Sequence, residues 1–350
     1  MFHCGLLLAV RCSLQGIILT QVRKEAKCRL ELVGLWQGIA IAAINGYVCE
    51  HEATGIRRAI FVPPWCLVKV RCWGARGSIP VSGPEYVRYG GDTTCLSIRS
   101  KNDALLVIDA GTGIRRLGCQ LMEQGREDLT LLFTHTHWDH VLGLPFFKPL
   151  YNPKVRIDLY GSPGLQGNIV KLLTRVMAPP LFPMPFAQLP SSITGLEWQG
   201  GSLQLDSLRV TRIALSHPNL GVGYRIEEDG KSFVFLTDNE LSQHHRGGRS
   251  FSEYVDFCRG ADLLVHDAEY TPEEYPSRRG WGHSHFEDAA RLAKVAGVKT
   301  LGLFHHNQER TDDAMDELVR RTREFLSGPG AGSGPVPACL ALTQDSSFDL

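Results

Sequence analysis

Three histidines and an aspartate fall within six positions in the run Leu131-Leu-Phe-Thr-His135-Thr-His137-Trp-Asp139-His140. The apolar stretch that ends at Thr134 reads as a strand, and a chain leaving a strand end exposes its side chains in a loop. There, alternate residues such as His135 and His137 point the same way, while Asp139 and His140 turn toward a second site. Imidazole and carboxylate are borderline-to-hard ligands suited to zinc, manganese or iron. The expectation is a metal centre; incidental histidines in a polar loop do not reach this density.

The elements that must position these groups begin at Val68. Strands are expected at Val68–Trp73, Thr94–Arg99, Leu105–Asp109, Leu129–Thr134 and Val155–Tyr160. They continue at Leu208–Leu215, Gly223–Glu227, Ser232–Thr237, Leu263–His266, Thr300–Phe304 and Ala338–Leu342. Each is short, rich in Val, Ile, Leu, Phe or Tyr, and closed by Gly, Asp, Asn or Pro. Helical spacing marks Ile114–Gln124, Leu165–Met177, Phe251–Arg259, Phe286–Ala296 and Asp312–Leu326. Strands interleaved with fewer helices imply an α/β layered domain with two sheets. Residues 178–190 hold five prolines among large apolar groups. No helix or central strand tolerates that, so the segment is expected to pack over the domain as a lid or pocket wall.

The sequence HTHWDH resembles the HxHxDH motif of the metallo-β-lactamase superfamily, and further family elements follow in order between Val68 and His306. Asp109, in Val-Ile-Asp-Ala-Gly-Thr-Gly, resembles the aspartate that braces the metal loop. His217 in Ser-His-Pro, Asp238 in Leu-Thr-Asp-Asn and His305 in Leu-Phe-His-His resemble the remaining ligands. The resemblance implies an αβ/βα sandwich of two mixed sheets flanked by helices. It also implies two divalent metal ions, zinc first and manganese or iron after it. His135, His137 and His217 would hold one ion, Asp139, His140 and His305 the other, and Asp238 would bridge them. His306 rivals His305, but period-two alternation puts one of the pair on a given face.

Gly282-His283-Ser284 resembles the ribonuclease Z group and its small phosphodiesterase relatives, in which this histidine lies 22 positions before the last ligand; here 305 − 283 = 22. That spacing favours His305 over His306. The resemblance implies catalysis by Asp139 and His283, with a metal-bridging hydroxide as the attacking group and His283 donating a proton to the leaving oxygen. His266, in Val-His-Asp-Ala-Glu, matches a VHEAT-like segment with Asp267 in place of Glu, and a supporting role is expected for it. His244, His245 and His285 are expected to be solvated.

The substrate expectation rests on a departure from that group. Bacterial ribonuclease Z enzymes carry a long basic arm between the third ligand motif and the bridging aspartate. Here 238 − 217 = 21, room for little beyond a hairpin, and Lys+Arg equals Asp+Glu at 37 each. With no arm and no net field for a polyanion, the sequence carries no strong nucleic-acid signal. A small or cyclic phosphodiester is expected instead. The alternatives are a ribonuclease Z-like RNA endonuclease and a di-iron redox or sensor protein on the same fold. The Gly-rich turns Gly74–Pro80 and Tyr89–Thr94 are expected to offer backbone N–H groups to a phosphate.

The ten cysteines form no CxxC pair, which excludes a zinc ribbon and a thioredoxin-type site and suits a reducing cytoplasm. Residues 1–66 hold five of them and show no steady period, so they are expected to lie outside the fold, leaving 67–350 as the hydrolase domain. The apolar stretch Leu32–Val48 contains Gln37 and Asn45 and falls short of the roughly 20 residues a membrane span needs. No membrane association is expected, and a homodimer is left open.

Overall fold

The computed structural model describes residues 68–161 and 169–350, and before residue 62 the backbone of short strands. The chain divides into two compact units, Met1–Pro64 and Trp65–Leu350. In the first, Leu30–Trp36, Ile39–Ile44 and Tyr47–Cys49 pair antiparallel in succession, and Ile60–Phe61 joins the last. The stretch Leu32–Val48 thus contributes strands. Among the described residues no helix is long and apolar enough to cross a membrane.

The second unit contains two seven-stranded sheets. One runs in chain order through β1 (Lys69–Gly74), β2 (Cys95–Arg99), β3 (Leu105–Ile108), β4 (Asp128–Leu132), β5 (Arg156–Tyr160) and β6 (Ser192–Leu196), with the C-terminal strand β14 (Ser347–Asp349) added beside β1. The other runs through β7 (Ser202–Leu205), β8 (Leu208–Ala214), β9 (Val222–Glu228), β10 (Lys231–Leu236), β11 (Leu263–Asp267), β12 (Thr300–Phe304) and β13 (Ala338–Ala341). Crossing the first sheet from β14, three antiparallel pairings precede three parallel ones. The second sheet repeats that order from β7.

Alternation along the strands builds three apolar layers. Leu106 and Ile108 of β3 join Phe233 and Phe235 of β10 in the core between the sheets. Leu105 and Val107 turn the other way, to Ile114, Leu117 and Leu121 of α1 (Ile114–Glu123). On the far side, Val234 and Leu236 join Ala289, Leu292 and Ala293 of α5 (Phe286–Val295) and Met315 and Leu318 of α6 (Asp312–Ser327). Strands covered on both faces read as continuous apolar runs, which is why central strands such as β3 and β11 are legible in the sequence.

Strands β6, β7 and β14 were not expected. Their residues are half-buried or exposed, and such edge strands lack the apolar run that marks a central one. Of the helix expected over Leu165–Met177, α3 (Ile169–Val176) is helical and 165–168 lie outside the described residues, while α4 (Phe251–Cys258) falls within the expected Phe251–Arg259. In the proline-rich segment Phe186 is buried against the first sheet's helical layer, with Phe182 and Leu189 packed on it.

One buried cation closes a helix. The ammonium of Lys294, on α5, donates to the carbonyls of Leu326 at 2.7 Å and Gly328 at 3.2 Å, acceptors freed by the end of α6. Lys294→Met is expected to leave both unpaired and to cost about 1–3 kcal/mol. The measurement is a urea midpoint, which should fall with the slope unchanged.

Candidate metal centre

The carboxyl ends of parallel strands β3, β4, β10, β11 and β12 converge on one place. Past them the chain must turn sharply, and Asp109, Asp238 and His305 do so with φ of 62°, 49° and 56°. Left-handed backbone at a non-glycine costs about 1–3 kcal/mol and gathers at functional sites. After β4, His137 caps the single-turn helix α2 (Trp138–Val141), which carries Asp139 and His140.

The side chains form two groups that share one carboxylate. Ligand-capable atoms of His135, His137, His217 and Asp238 lie within 4.8 Å of one another, and so do those of Asp139, His140, Asp238 and His305. Asp238 Oδ2 is 3.4 Å from His135 Nε2, 3.9 Å from His217 Nε2 and 3.4 Å from His305 Nε2. Its Oδ1 is 3.2 Å from His140 Nε2. Asp139 Oδ2 lies 3.3 Å from His140 Nε2 and 3.1 Å from His305 Nε2. All seven residues expected from the sequence are brought together. His306 is not among them: its Nε2 donates to the carbonyl of Leu342 at 2.7 Å, and its ring meets Tyr89 edge-on.

His137 presents its Nδ1 to His217 Nε2 at 3.1 Å, and each of the other imidazoles is turned by an oxygen partner on its Nδ1. Asp109 Oδ2 lies 2.8 Å from His140 Nδ1, and Glu269 Oε2 lies 3.0 Å from His305 Nδ1. The Gly282 carbonyl takes His217 Nδ1 at 2.9 Å, and Thr134 Oγ1 lies 3.1 Å from His135 Nδ1. A partner on Nδ1 fixes the tautomer that leaves Nε2 as a lone pair. His135 Nε2 and His140 Nε2 are buried with no hydrogen-bond partner. A buried polar atom left this way is costly unless something else engages it, and a divalent cation fits both groups.

The electrostatics differ between the groups. Burial drives His135 well below the ordinary imidazole range, lowers His137 and takes His217 down to about 3, so all three are neutral. At His140 burial opposes charge, yet Asp139, Asp238 and Asp109 outweigh it and hold the pKa well above the usual value. Burial would raise Asp238, but His305, His140 and His135 keep it ionised. Three neutral imidazoles and a carboxylate-rich pocket are both arranged to take positive charge.

Asp109 accepts from Thr134 N and Thr134 Oγ1, each at 2.7 Å, at the start of the loop that carries His135. His266 supports the site from behind, its Nε2 accepting from Asn239 Nδ2 at 3.2 Å while Asn239 Oδ1 holds the Ser216 amide at 2.9 Å. His283 stacks on His305, with ring centres 4.5 Å apart, and meets His217 edge-on. Its Nδ1 is 2.9 Å from Asp267 Oδ2 and 3.4 Å from Glu269 Oε2. Burial works against its charge, but those two carboxylates prevail and raise it to about 9.

Some expectations need correction. His245 and His285 are not solvated: His245 Nε2 meets Glu240 Oε2 at 2.7 Å, and His285 lies 3.2 Å from Asp288 beside Tyr275. His244 is exposed. The turns expected to face a phosphate are used internally. Ser78 N donates to Asp139 Oδ2 at 3.0 Å, and a Cβ on Gly77 would stand 2.2 Å from His305 Nδ1. Arg76, fully buried, donates to the carbonyls of Gly90, Asn307 and Arg310. Sequence reasoning missed Glu240 and Glu269 and gave Asp267 no role. The signal for Asp267 and Glu269 was period two: acids two apart at the end of an apolar strand share a face.

The interval between His217 and Asp238 holds only the hairpin β9–β10. Glu228 pairs with Lys231, and Asp229-Gly230 turn with φ of 47° and 78°, as a two-residue hairpin turn requires.

Comparison with known proteins agrees with this geometry. Ribonuclease Z of Haloarcula marismortui is 26% identical over 309 residues, covering 75% of this chain and 93% of its own. Ribonuclease Z of Lactococcus lactis is 23% identical over 279 residues, 66% of this chain and 88% of its own. The metallo-beta-lactamase fold protein YhfI from Bacillus subtilis shares the fold with a TM-score of 0.58 at 16% identity, over 81% of this chain and 99% of that one. The family model described as beta-lactamase superfamily domain matches residues 105–306, from β3 to one residue past His305. That stretch is more than half of the 350 residues and contains both groups, and the chain belongs to the beta-lactamase superfamily.

Proposed function

We propose that this protein is a dinuclear metal-dependent phosphodiesterase acting on a small or cyclic phosphodiester. The observation that carries the reading is the placement of His283, stacked on His305 beside both ligand groups with its Nδ1 pinned by acids. His135, His137, His217 and Asp238 would hold one ion, and Asp139, His140, Asp238 and His305 the other. A histidine-rich set of this kind favours zinc. When bound, the ions supply Lewis-acid polarisation of a phosphoryl oxygen and lower the pKa of water.

The chain's own groups do the rest. Asp139, held in place by the Ser78 amide, presents a carboxylate that orients the attacking water. Asp267 and Glu269 hold the proton on His283 Nδ1 and support a second one on Nε2, the nitrogen left to protonate the departing alkoxide. Similarity to proteins called ribonuclease Z supports phosphodiester chemistry, and the bare hairpin between His217 and Asp238 supports a small substrate. That same similarity favours a second reading, an RNA endonuclease. The zinc-loaded protein should hydrolyse bis-p-nitrophenyl phosphate and nucleoside cyclic phosphates and leave precursor tRNA uncut. Cleavage of the tRNA without turnover of small diesters would replace the first reading with the second.

Proton donation makes a sharper prediction. His283→Ala is expected to lower kcat by about 10²–10⁴ on diesters with an alkoxide leaving group. With p-nitrophenolate, which leaves without a proton, the loss should be much smaller. Equal losses on the two substrates would remove His283 from that role.

A further inference from the structure

Glu240 is a buried carboxylate, 1% exposed, that the chemistry above does not use. Its Oε1 accepts from Gly280 N and Tyr275 Oη at 2.7 Å each. Its Oε2 accepts from Gly282 N at 2.8 Å and His245 Nε2 at 2.7 Å. Four donors fill the lone-pair sites of an ionised carboxyl group. Burial would raise its pKa, and these hydrogen bonds more than reverse the effect.

Three of the four donors belong to the segment from Tyr275 to Gly282, which leads directly into His283. The same segment supplies the Gly282 carbonyl that turns His217. Gly282 adopts φ 98°, and a Cβ there would stand 2.1 Å from His217 Nδ1 and 2.5 Å from Pro218 Cδ, so the backbone lies directly against the ring. On its other side Glu240 is tied to the bend after β8 that carries His217. Its amide donates to the Ser216 carbonyl at 2.9 Å, and it stands two residues beyond Asp238.

We propose that Glu240 is a positioning residue that sets His217 and His283 together. By holding the Gly280 and Gly282 amides it fixes the carbonyl that orients His217 and the backbone that carries His283. It acts through other groups and touches no reacting atom. A carboxylate is needed because every partner donates. A glutamine of the same shape turns an NH₂ toward two donors and loses one side of the clamp. The inference rests on the two-ion reading of the proposed function.

The test compares zinc-loaded wild type and Glu240→Gln by metal analysis after dialysis against graded chelator, by kinetics on a small diester and by thermal melting. Wild type should retain two ions. Glu240→Gln should release one of them at a chelator concentration about tenfold lower and keep the other, with kcat reduced about tenfold or more and KM unchanged. Should that variant fail to fold, Tyr275→Phe removes one loop donor and should shift the release in the same direction by about threefold. A lowered melting temperature with both ions held as tightly as in wild type and kcat unchanged would overturn the proposal. So would Tyr275→Phe with no shift, where that variant is the one read. A wild type that takes up a single ion would overturn the two-ion reading and this inference with it, and the wild-type sample alone reveals that case.

Discussion

Asp238→Ala is expected to lower kcat by about three orders of magnitude or more and to bring metal content below two ions per chain. The magnitude follows from several kcal/mol of charge stabilisation at the reacting phosphoryl group, at about 1.4 kcal/mol per tenfold. Asp238 is the group common to both ligand sets, with four imidazole nitrogens between 3.2 and 3.9 Å of its oxygens. Without it the first set is three neutral imidazoles with no anion to offset the ion's charge, and the second retains one carboxylate. Asp238→Asn keeps the shape and removes the charge, so it separates the two effects; its loss should approach that of the alanine. Metal analysis and kcat on bis-p-nitrophenyl phosphate read both. Two ions retained with kcat within tenfold of wild type would sink the assignment of Asp238 as the bridge.

The second large effect belongs to Asp109. Its fully buried carboxylate receives Thr134 N, Thr134 Oγ1 and His140 Nδ1. Asp109→Ala leaves those donors unpaired at about 1–3 kcal/mol each. A total of several kcal/mol is a large share of a stability that is commonly about 5–15 kcal/mol. The melting temperature of the metal-free protein should fall by on the order of 10 °C or more. Asp109→Asn has a subtler outcome. Its amide would donate to His140 Nδ1 and force the proton onto Nε2, the nitrogen that must be a lone pair to bind metal. This variant should fold, yet hold metal about 10–100-fold more weakly. Chelator competition and circular dichroism on the same sample distinguish the two. Unchanged metal affinity would mean that Asp109 does not set the His140 tautomer.

How much of this was legible in advance depended on burial. The central strands announce themselves because both faces are covered, so Leu105–Ile108 and Leu263–Asp267 are buried throughout. Edge strands such as Ser192–Leu196 form through pairing with a neighbour, information their own residues do not carry. The seven members of the cluster were readable because metal binding demands rare residue types at fixed places along strand ends. The choice of His305 over His306 rested on the 22-residue spacing from His283; alternation requires only that one of the pair turn away, and the structure turns His306 to Leu342. Glu240 stayed hidden because an acid in a polar stretch looks like any solvated acid until its donors are known. The Gly77 and Ser78 turn was misread for a related reason: Gly-rich loops suit any close approach, and here the approach is to His305 and Asp139.

The repeated pairing order of the two sheets has a consequence for how the site comes into being. His135, His137, Asp139 and His140 follow the first sheet's β4, while His217, Asp238 and His305 follow strands of the second. The Asp139–His305 contact joins residues 166 apart in sequence. Each half therefore carries an incomplete set of ligands, and closing so long a loop has an entropic cost that must be met before such a contact forms. The centre is therefore expected to form late in folding, as a clasp between two halves whose strand patterns match. A bound ion is then a cross-link whose escape requires the halves to part locally, so the rate of metal loss should track the opening of the seam between them.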